Sequence, residues 1–263
     1  MTRGGVALAV AAAVITGGCV AGGSPERAPG QAPAPAGGAV RVLLLSKTAG
    51  YRHDSIPPGA AAIERLGPRH GFVADHTEDA GRLNDAELRR YRALVFLSTT
   101  GEFLDEAQQA ALRRFIERGG GWVGIHAASD GEFEWPWYGE MVGAWFAHHP
   151  AIQRATIHVA DRRHPAMAPL PAEWTRTDEW YDFRSNPRGR VHVLATLDES
   201  SYRGGGMGAD HPIAWCHQVG SGRVFYTALG HTVESFAEPL FLDHLAGAIR
   251  WAAGLDPGDC SGG

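Results

Sequence analysis

Short runs of large aliphatic residues that recur along the chain constrain its fold more than any other feature. Val40–Ser46, Ala93–Leu97 and Trp122–Ile125 are apolar on both sides, and Phe72–Asp75 is a shorter run of the same kind. Such runs are typical of strands buried in a parallel sheet, because helices cover both faces of that sheet. These four runs therefore predict four parallel strands.

Helical patterns lie between these strands and at the end of the chain. The predicted helices are Pro57–Leu66, one capped by Asn84 or Asp85 that ends at Tyr91, Asp105–Arg118 and Glu238–Ala253. The alternation of strand and helix predicts a doubly wound, flavodoxin-like α/β domain over residues 40–254, with a mostly parallel sheet and helices on both faces. The second half of the domain is richer in strands, predicted at Ala155–Val159, Val191–Leu197, Ile213–His217 and Arg223–Thr227. These strands either extend the same sheet or form an antiparallel flap over one end of it.

The first 39 residues are not expected to belong to the domain. Arg3 precedes the apolar run Val6–Ile15, and small residues then lead to Cys19, an order typical of a secretory signal peptide over residues 1–19. Cys19 in this position resembles the lipidated cysteine of the bacterial lipobox, although Thr16 stands where the motif prefers a larger aliphatic. We expect a periplasmic or cell-surface lipoprotein, with plain secretion as the alternative. Residues 20–39 are rich in Gly, Pro and Ala and predict a disordered tether.

Residues 255–263 are expected to form a loose tail. Cys216 lies in a predicted strand and Cys260 in that tail, so free thiols are favoured over a disulfide between them, which an oxidising compartment would allow. The net charge of −5 and the lack of a basic run argue against nucleic acid as a partner. The lipid on Cys19 would be the only contact with the membrane.

Histidines and acids follow two of the predicted strands. Ligands bind beyond the carboxyl ends of the strands in an open parallel sheet. Arg52, His53 and Asp54 follow the first strand, and Gly124–Asp130 follows the fourth. Asp54 or Ser55 is expected to cap the next helix, which leaves His53 free to face a pocket.

The segment Gly124–Asp130 has the shape of a nucleophile elbow, in which a strand, a tight turn of small residues and a helix follow one another. The residue at the centre of the turn, here His126, is aimed at the pocket. A histidine is not an ordinary acyl-transfer nucleophile, and the alternative is that His126 only bonds a loop carbonyl or caps the next helix. His231 follows the predicted strand Arg223–Thr227 and can therefore lie at a strand end as well.

Asp178–Phe183 would alternate as an extended strand, with Glu179 and Tyr181 on one face. An acid beside an aromatic ring suits a sugar, because the carboxylate accepts hydroxyl groups and the ring covers C–H groups. The alternative is an edge strand with one solvated face. Thirteen histidines also indicate a divalent metal, although no spacing matches a compact zinc motif. Its ligands would be His53, His126 and His231.

Five segments together resemble the trehalose-utilisation (ThuA-like) family. They are Gly50–Ile56, Gly124–Asp130, Asp178–Tyr181, His211–Trp215 and Gly222–His231. The resemblance implies a fold like that of class I glutamine amidotransferases. Their elbow carries a catalytic cysteine where this chain has His126, so glutamine hydrolysis is not implied. The resemblance also implies a role in carbohydrate breakdown, in functional partnership with a sugar oxidoreductase that makes 3-keto sugars.

The favoured hypothesis is an enzyme that cleaves or isomerises 3-keto-glycosides such as 3-keto-trehalose. A ketone at C3 acidifies the proton on C2, so a base can remove it and the group on C1 can leave. His126 is the candidate base and Glu179 a second. His53, His231 or a divalent metal that they hold would polarise the ketone. The candidate sugar-binding residues are Arg52, Asp54, Asp130 and Tyr181.

Two alternatives stay open. A carbohydrate-binding module without catalysis, held at the membrane by the tether, would bind sugars without turning them over. Ordinary glycosidase action by two carboxylates is the other, and Asp54, Asp130 and Glu179 are the acids at strand ends that could pair for it.

Overall fold

The computed structural model of the chain describes residues 1–2, 4–5 and 39–260. Cys19 and nearly all of the predicted signal peptide and tether lie outside these residues. Among the helices of the described part, none is both long and apolar enough to cross a membrane.

One large sheet and its flanking helices make up the described domain. The α-helices are α1 (Ile56–Leu66), α2 (Asp85–Leu88), α3 (Glu106–Glu117), α4 (Pro136–Val142) and α5 (Pro239–Ala252). The strands are β1 (Val40–Leu45), β2 (Phe72–Thr77), β3 (Ala93–Leu97), β4 (Thr100–Gly101), β5 (Gly121–Ile125), β6 (Asp130–Gly131), β7 (Phe146–His148), β8 (Gln153–Val159), β9 (Glu173–Asp178), β10 (Asp182–Phe183), β11 (His192–Asp198), β12 (Pro212–Val219) and β13 (Gly222–Thr227).

The nine-stranded sheet has the order β2-β1-β3-β5-β13-β12-β11-β8-β9. Its first half is parallel from β2 to β13, as the buried aliphatic runs predict. From β13 to β9 every pairing is antiparallel, so the strand-rich second half extends the same sheet and does not form a separate flap. The doubly wound α/β prediction is confirmed, with the sheet mixed rather than parallel throughout.

Every residue of β3 and β5 is buried, because helices cover the sheet on both sides. Helix α3 begins where Asp105 and Gln108 form a capping box, in which each side chain accepts a hydrogen bond from the other residue's backbone. Ser55 occupies the N-cap position of α1, but its hydroxyl donates to the carbonyl of Gly230. The predicted side-chain cap at Asp54 or Ser55 is therefore wrong, and Ser55 instead joins the segments after β1 and β13.

The predictions for the cysteines and the tail are wrong. Cys216 in β12 forms a disulfide with Cys260, with Cα atoms 5.7 Å apart. The tail up to Cys260 is also held by an ion pair between Arg250 and Asp256 and by a hydrogen bond from the Trp251 indole to Gly258. Chain packing after α5 returns Cys260 to the sheet, a proximity that a separation of 44 residues does not reveal.

The stretch predicted as one strand over Asp178–Phe183 is divided. β9 ends at Asp178, and β10 begins at Asp182 and pairs with β7. In β9, Arg176 forms ion pairs with Asp178 and with Glu238 before α5. These contacts bring the carboxyl end of the edge strand β9 against the segment between β13 and α5, where His231 lies.

Candidate metal centre and active site

Four side chains converge beyond the carboxyl ends of the strands. His53 follows β1, His126 follows β5, His231 follows β13 and Glu179 follows β9. One nitrogen or oxygen atom of each lies within 4.8 Å of the corresponding atom of every other. The strand-end argument from the sequence therefore placed all three histidines correctly. We call this set the His₃Glu cluster.

The elbow after β5 aims His126 into the cluster. His126 has a backbone φ of +53°, a conformation that costs energy in a non-glycine residue and is typical of functional turns. Its Nδ1 lies 2.8 Å from the carbonyl oxygen of Ala228, which only accepts, so Nδ1 carries the proton. The Nε2 lone pair therefore faces the cluster, 3.0 Å from Nδ1 of His231.

Glu179 connects the remaining members of the cluster. Its Oε2 lies 2.9 Å from Nδ1 of His231 and 3.5 Å from Nε2 of His126. Its Oε1 lies 3.1 Å from Nδ1 of His149, which is half-exposed at the rim. The preceding Asp178 accepts hydrogen bonds from the backbone N–H groups of Gly230 and His231, so it ties the two segments together.

The surroundings of the cluster lower the pKa values of two of its members, His53 and Glu179. Burial, together with the nearby His126 and His231, lowers the pKa of His53 to about 3. Burial alone would raise the pKa of Glu179, but its contacts with the imidazoles of His126 and His231 outweigh burial and lower that pKa to about 2. Burial raises the pKa of the neighbouring Asp130 to about 6, against the opposing effects of Arg184 and His149.

The donor set fits a divalent transition metal. Three imidazoles and one carboxylate are ligands of Zn²⁺ and of related first-row ions, which bind imidazole in its neutral form and carboxylate in its ionised form. Nδ1 of His53 is buried and has no hydrogen-bond partner among the described residues, as expected of a nitrogen that a ligand would satisfy. The carbonyl of Ala228 accepts a hydrogen bond from Nδ1 of His126 and so fixes the ring, as carbonyls commonly do for metal-binding histidines.

The structure separates the other predicted site residues from the cluster or gives them different surroundings. Asp54 is exposed and does not orient His53, and the guanidinium of Arg52 pairs with Glu78 at 2.7 Å. Tyr181 is 2 % exposed, with its ring centroid 4.2 Å from that of His126. Tyr181 therefore packs against a cluster member instead of presenting its face to a sugar. Asp130 stays half-buried beside the cluster, as its electrostatic coupling to His149 and Tyr181 shows.

Sequence reasoning missed the roles of His149, Asp178 and Arg176. His149 precedes Pro150, a pattern typical of a rigid loop corner, yet its ring contacts Glu179. Asp178 directly precedes Glu179, and that adjacency was the available signal for a supporting acid. Nothing in the sequence around Arg176 indicates that its guanidinium is buried against Asp178.

The fold and the elbow define a class I glutamine amidotransferase-like domain whose elbow carries histidine. The sequence profile described as ThuA, trehalose utilisation, matches residues 41–252, so the chain belongs to this family. The family description places the chain in carbohydrate metabolism.

Solved structures agree with this assignment. A ThuA-like protein of Bacteroides uniformis ATCC 8492 superposes with a TM-score of 0.69 at 26% identity, covering 84% of this chain and 95% of that one. A ThuA-like protein of Parabacteroides merdae ATCC 43184 has a TM-score of 0.68 at 21% identity, covering 82% and 90%. The β-galactosidase of Bacillus circulans shares the fold over 82% of this chain and 31% of its own, with a TM-score of 0.55 and 13% identity. No curated protein matches the chain.

Proposed function

We propose that this protein is a metal-dependent enzyme that cleaves 3-keto-glycosides. The observation that carries the proposal is the His₃Glu cluster, whose ligand atoms lie within 4.8 Å of one another at the strand ends. The family to which the chain belongs is described by trehalose utilisation. A divalent cation held by the cluster would polarise the C3 ketone and stabilise the negative charge that develops on its oxygen.

The burial of His126 moves the role of base to another residue. The side chain of His126 is 0% exposed, and its two nitrogens face Ala228 and the cluster, so it cannot touch a sugar. Glu179 is likewise directed at the histidines. We assign both residues as ligands rather than as the base predicted from the sequence.

Asp130 is our candidate base. Its pKa, raised to about 6 by burial, lets it stay ionised at neutral pH while remaining basic enough to accept a carbon-bound proton. Asp130 takes the proton from C2, a C1–C2 double bond forms, and the C1–oxygen bond breaks. Water then adds to C1 and a proton returns to C2, so the net reaction is hydrolysis without an oxocarbenium ion.

The rim of the cluster supplies the remaining proton. The leaving oxygen at C1 needs a proton, and His149 is a half-exposed imidazole next to Glu179. We assign that donation to His149. A sugar oxidoreductase is the expected functional partner, because the ketone that acidifies C2 must be introduced by oxidation.

The direct test follows sugar release from 3-keto-trehalose and 3-keto-glucosides by the full chain, with added divalent metal or with chelator. We expect wild type to turn these substrates over and chelator to abolish the turnover. Glu179→Gln and Asp130→Asn should each reduce the rate by about 10²–10⁴-fold, and Asp130→Asn should still bind metal. His158→Asn, at an exposed histidine flanked by Glu173 and Asp198, is the matched control and leaves the rate unchanged.

Each outcome separates one part of the proposal from the others. Full activity in Glu179→Gln, or in chelator, would exclude the metal. Binding of sugars by wild type without turnover would replace the enzyme with the carbohydrate-binding module. Because Asp130 must be ionised, activity should rise as pH increases through about 6, and a rate independent of pH from 5 to 7 would exclude Asp130 as base.

We also propose that the protein is exported and anchored through lipidated Cys19. The charge, apolar run and small residues before Cys19 support this, and so does the Cys216–Cys260 disulfide, because disulfides persist in oxidising compartments. Cys19→Ser should move the protein from the membrane fraction to the soluble fraction. Unchanged membrane association of that variant would contradict the lipid anchor.

A further inference from the structure

A second polar cluster lies next to the backbone carbonyl of Tyr181, and it takes no part in the proposed reaction. One ligand atom from each of Asp182, Glu199 and His211 lies within 4.8 Å of the others. Nδ1 of His148 lies 3.3 Å from Oδ2 of Asp182. We propose that these four residues form a second cation site, distinct from the His₃Glu cluster.

The carboxylate of Asp182 is the strongest indication of a ligand. Asp182 is 2% exposed, and neither of its oxygens has a hydrogen-bond partner among the described residues. Its imidazole neighbours approach only to 3.3 Å for His148 and 3.6 Å for His211. A carboxylate that is buried without donors is strongly destabilising unless a cation compensates its charge.

The tautomer of His211 points to the same conclusion. Its Nε2 lies 2.8 Å from the carbonyl oxygen of Tyr181, so Nε2 is a donor. In the neutral form that a cation binds, His211 presents its Nδ1 lone pair toward Oε1 of Glu199, which lies 2.9 Å away. The Tyr202 hydroxyl reaches Nδ1 at 3.2 Å but has a single proton to give. A cation would accept both lone pairs at once.

The backbone leaves room at this site. A Cβ atom on Gly206 would come within 3.0 Å of Oδ2 of Asp182 and 3.4 Å of Nε2 of His148, so glycine keeps the space beside the carboxylate open. The side chain of His148 is 62% exposed, which gives an ion a path from solvent. Two carboxylates and two imidazoles form a mixed nitrogen and oxygen donor set, which favours Zn²⁺ or Mn²⁺ over Ca²⁺.

An ion in the second site would help to position residues of the His₃Glu cluster. It would join β7, β10 and the segments around Glu199 and His211, which are far apart in sequence. His211 holds the backbone of Tyr181, whose ring packs on His126 and whose neighbour is Glu179. A bound ion would therefore fix the segment between β9 and β10, which carries Glu179.

The test counts metal ions with Zn²⁺ alone. The full chain is stripped with chelator, dialysed, titrated by calorimetry and checked by elemental analysis. Wild type should bind two equivalents, and Asp182→Asn and Glu179→Gln should each bind one. Asp161→Asn, at a carboxylate that already has partners in Arg163 and His192, is the matched control and should keep two. Ca²⁺ should occupy neither site tightly.

The results separate this inference from the proposed function. One equivalent in wild type that disappears in Asp182→Asn would support the second site and refute metal binding by the His₃Glu cluster. Two equivalents in Asp182→Asn, or one in wild type that disappears only in Glu179→Gln, would overturn the second site. If Asp182→Asn fails to fold by circular dichroism, Glu199→Gln takes its place, with the same loss of one equivalent expected.

Discussion

Removal of the Cys216–Cys260 disulfide should destabilise the domain by an amount that follows from its position. The bond joins residues 44 apart in sequence, and it restricts the unfolded chain by closing that loop. A loop of this length corresponds to a loss of about 4 kcal/mol in the free energy of unfolding. For a domain of this size the loss lowers the unfolding temperature by about 10 °C.

The variant to measure is Cys260→Ser, because Cys216 is 0% exposed and its truncation would add a cavity in the core. Urea unfolding is followed by tryptophan fluorescence for wild type and variant, each with and without dithiothreitol. We expect dithiothreitol to bring wild type down to the stability of Cys260→Ser and to leave the variant unchanged. The reasoning would be refuted by a variant within about 1 kcal/mol of unreduced wild type, or by free thiols at both positions in unfolded, unreduced protein.

Three further predictions concern stability. Burial lowers the pKa of His244 to about 4, so the unfolded chain binds the proton more readily, and the free energy of unfolding should fall by about 3 kcal/mol as pH drops from about 6.5 to about 4. Asp178→Asn removes one of the two carboxylates that pair with buried Arg176 and leaves Glu238 as its partner, so urea unfolding should show a loss of about 1–3 kcal/mol. Gly121→Ala places a Cβ 2.1 Å from the backbone oxygen of Ala252 and should lower the unfolding temperature by several degrees.

Matched measurements distinguish these effects from general damage. His244→Gln should flatten the dependence of stability on pH, and an unchanged slope would contradict the role of this histidine. Gly189→Ala is the control for Gly121→Ala, because a Cβ on Gly189 would meet no atom within 4 Å. For Asp178→Asn, a loss below about 1 kcal/mol would mean that Glu238 alone compensates the charge of Arg176.

Sequence reasoning located the strands whose buried residues are apolar and missed β9, whose buried residues include two charges. Ala93–Leu97 is predicted to the residue, because a fully buried strand must be apolar on both faces. β9 was missed, since its buried positions are Trp174, Arg176 and Asp178, and only pairing in the folded protein makes two charges acceptable there. Helix α4 (Pro136–Val142) was also missed, because its seven residues are too few to establish a periodicity.

The sequence likewise predicted some members of the candidate site and missed others. The sequence by itself determined that His53, His126 and His231 lie at strand ends, because parallel strands bring their carboxyl ends to one edge. Only the tertiary structure decided that Glu179 joins them, that His126 is buried as a ligand, and that Arg52 and Asp54 lie apart. The physical reason is that periodicity reports which face of an element is buried. Which side chains meet depends on how distant strands pack, and that information is not local.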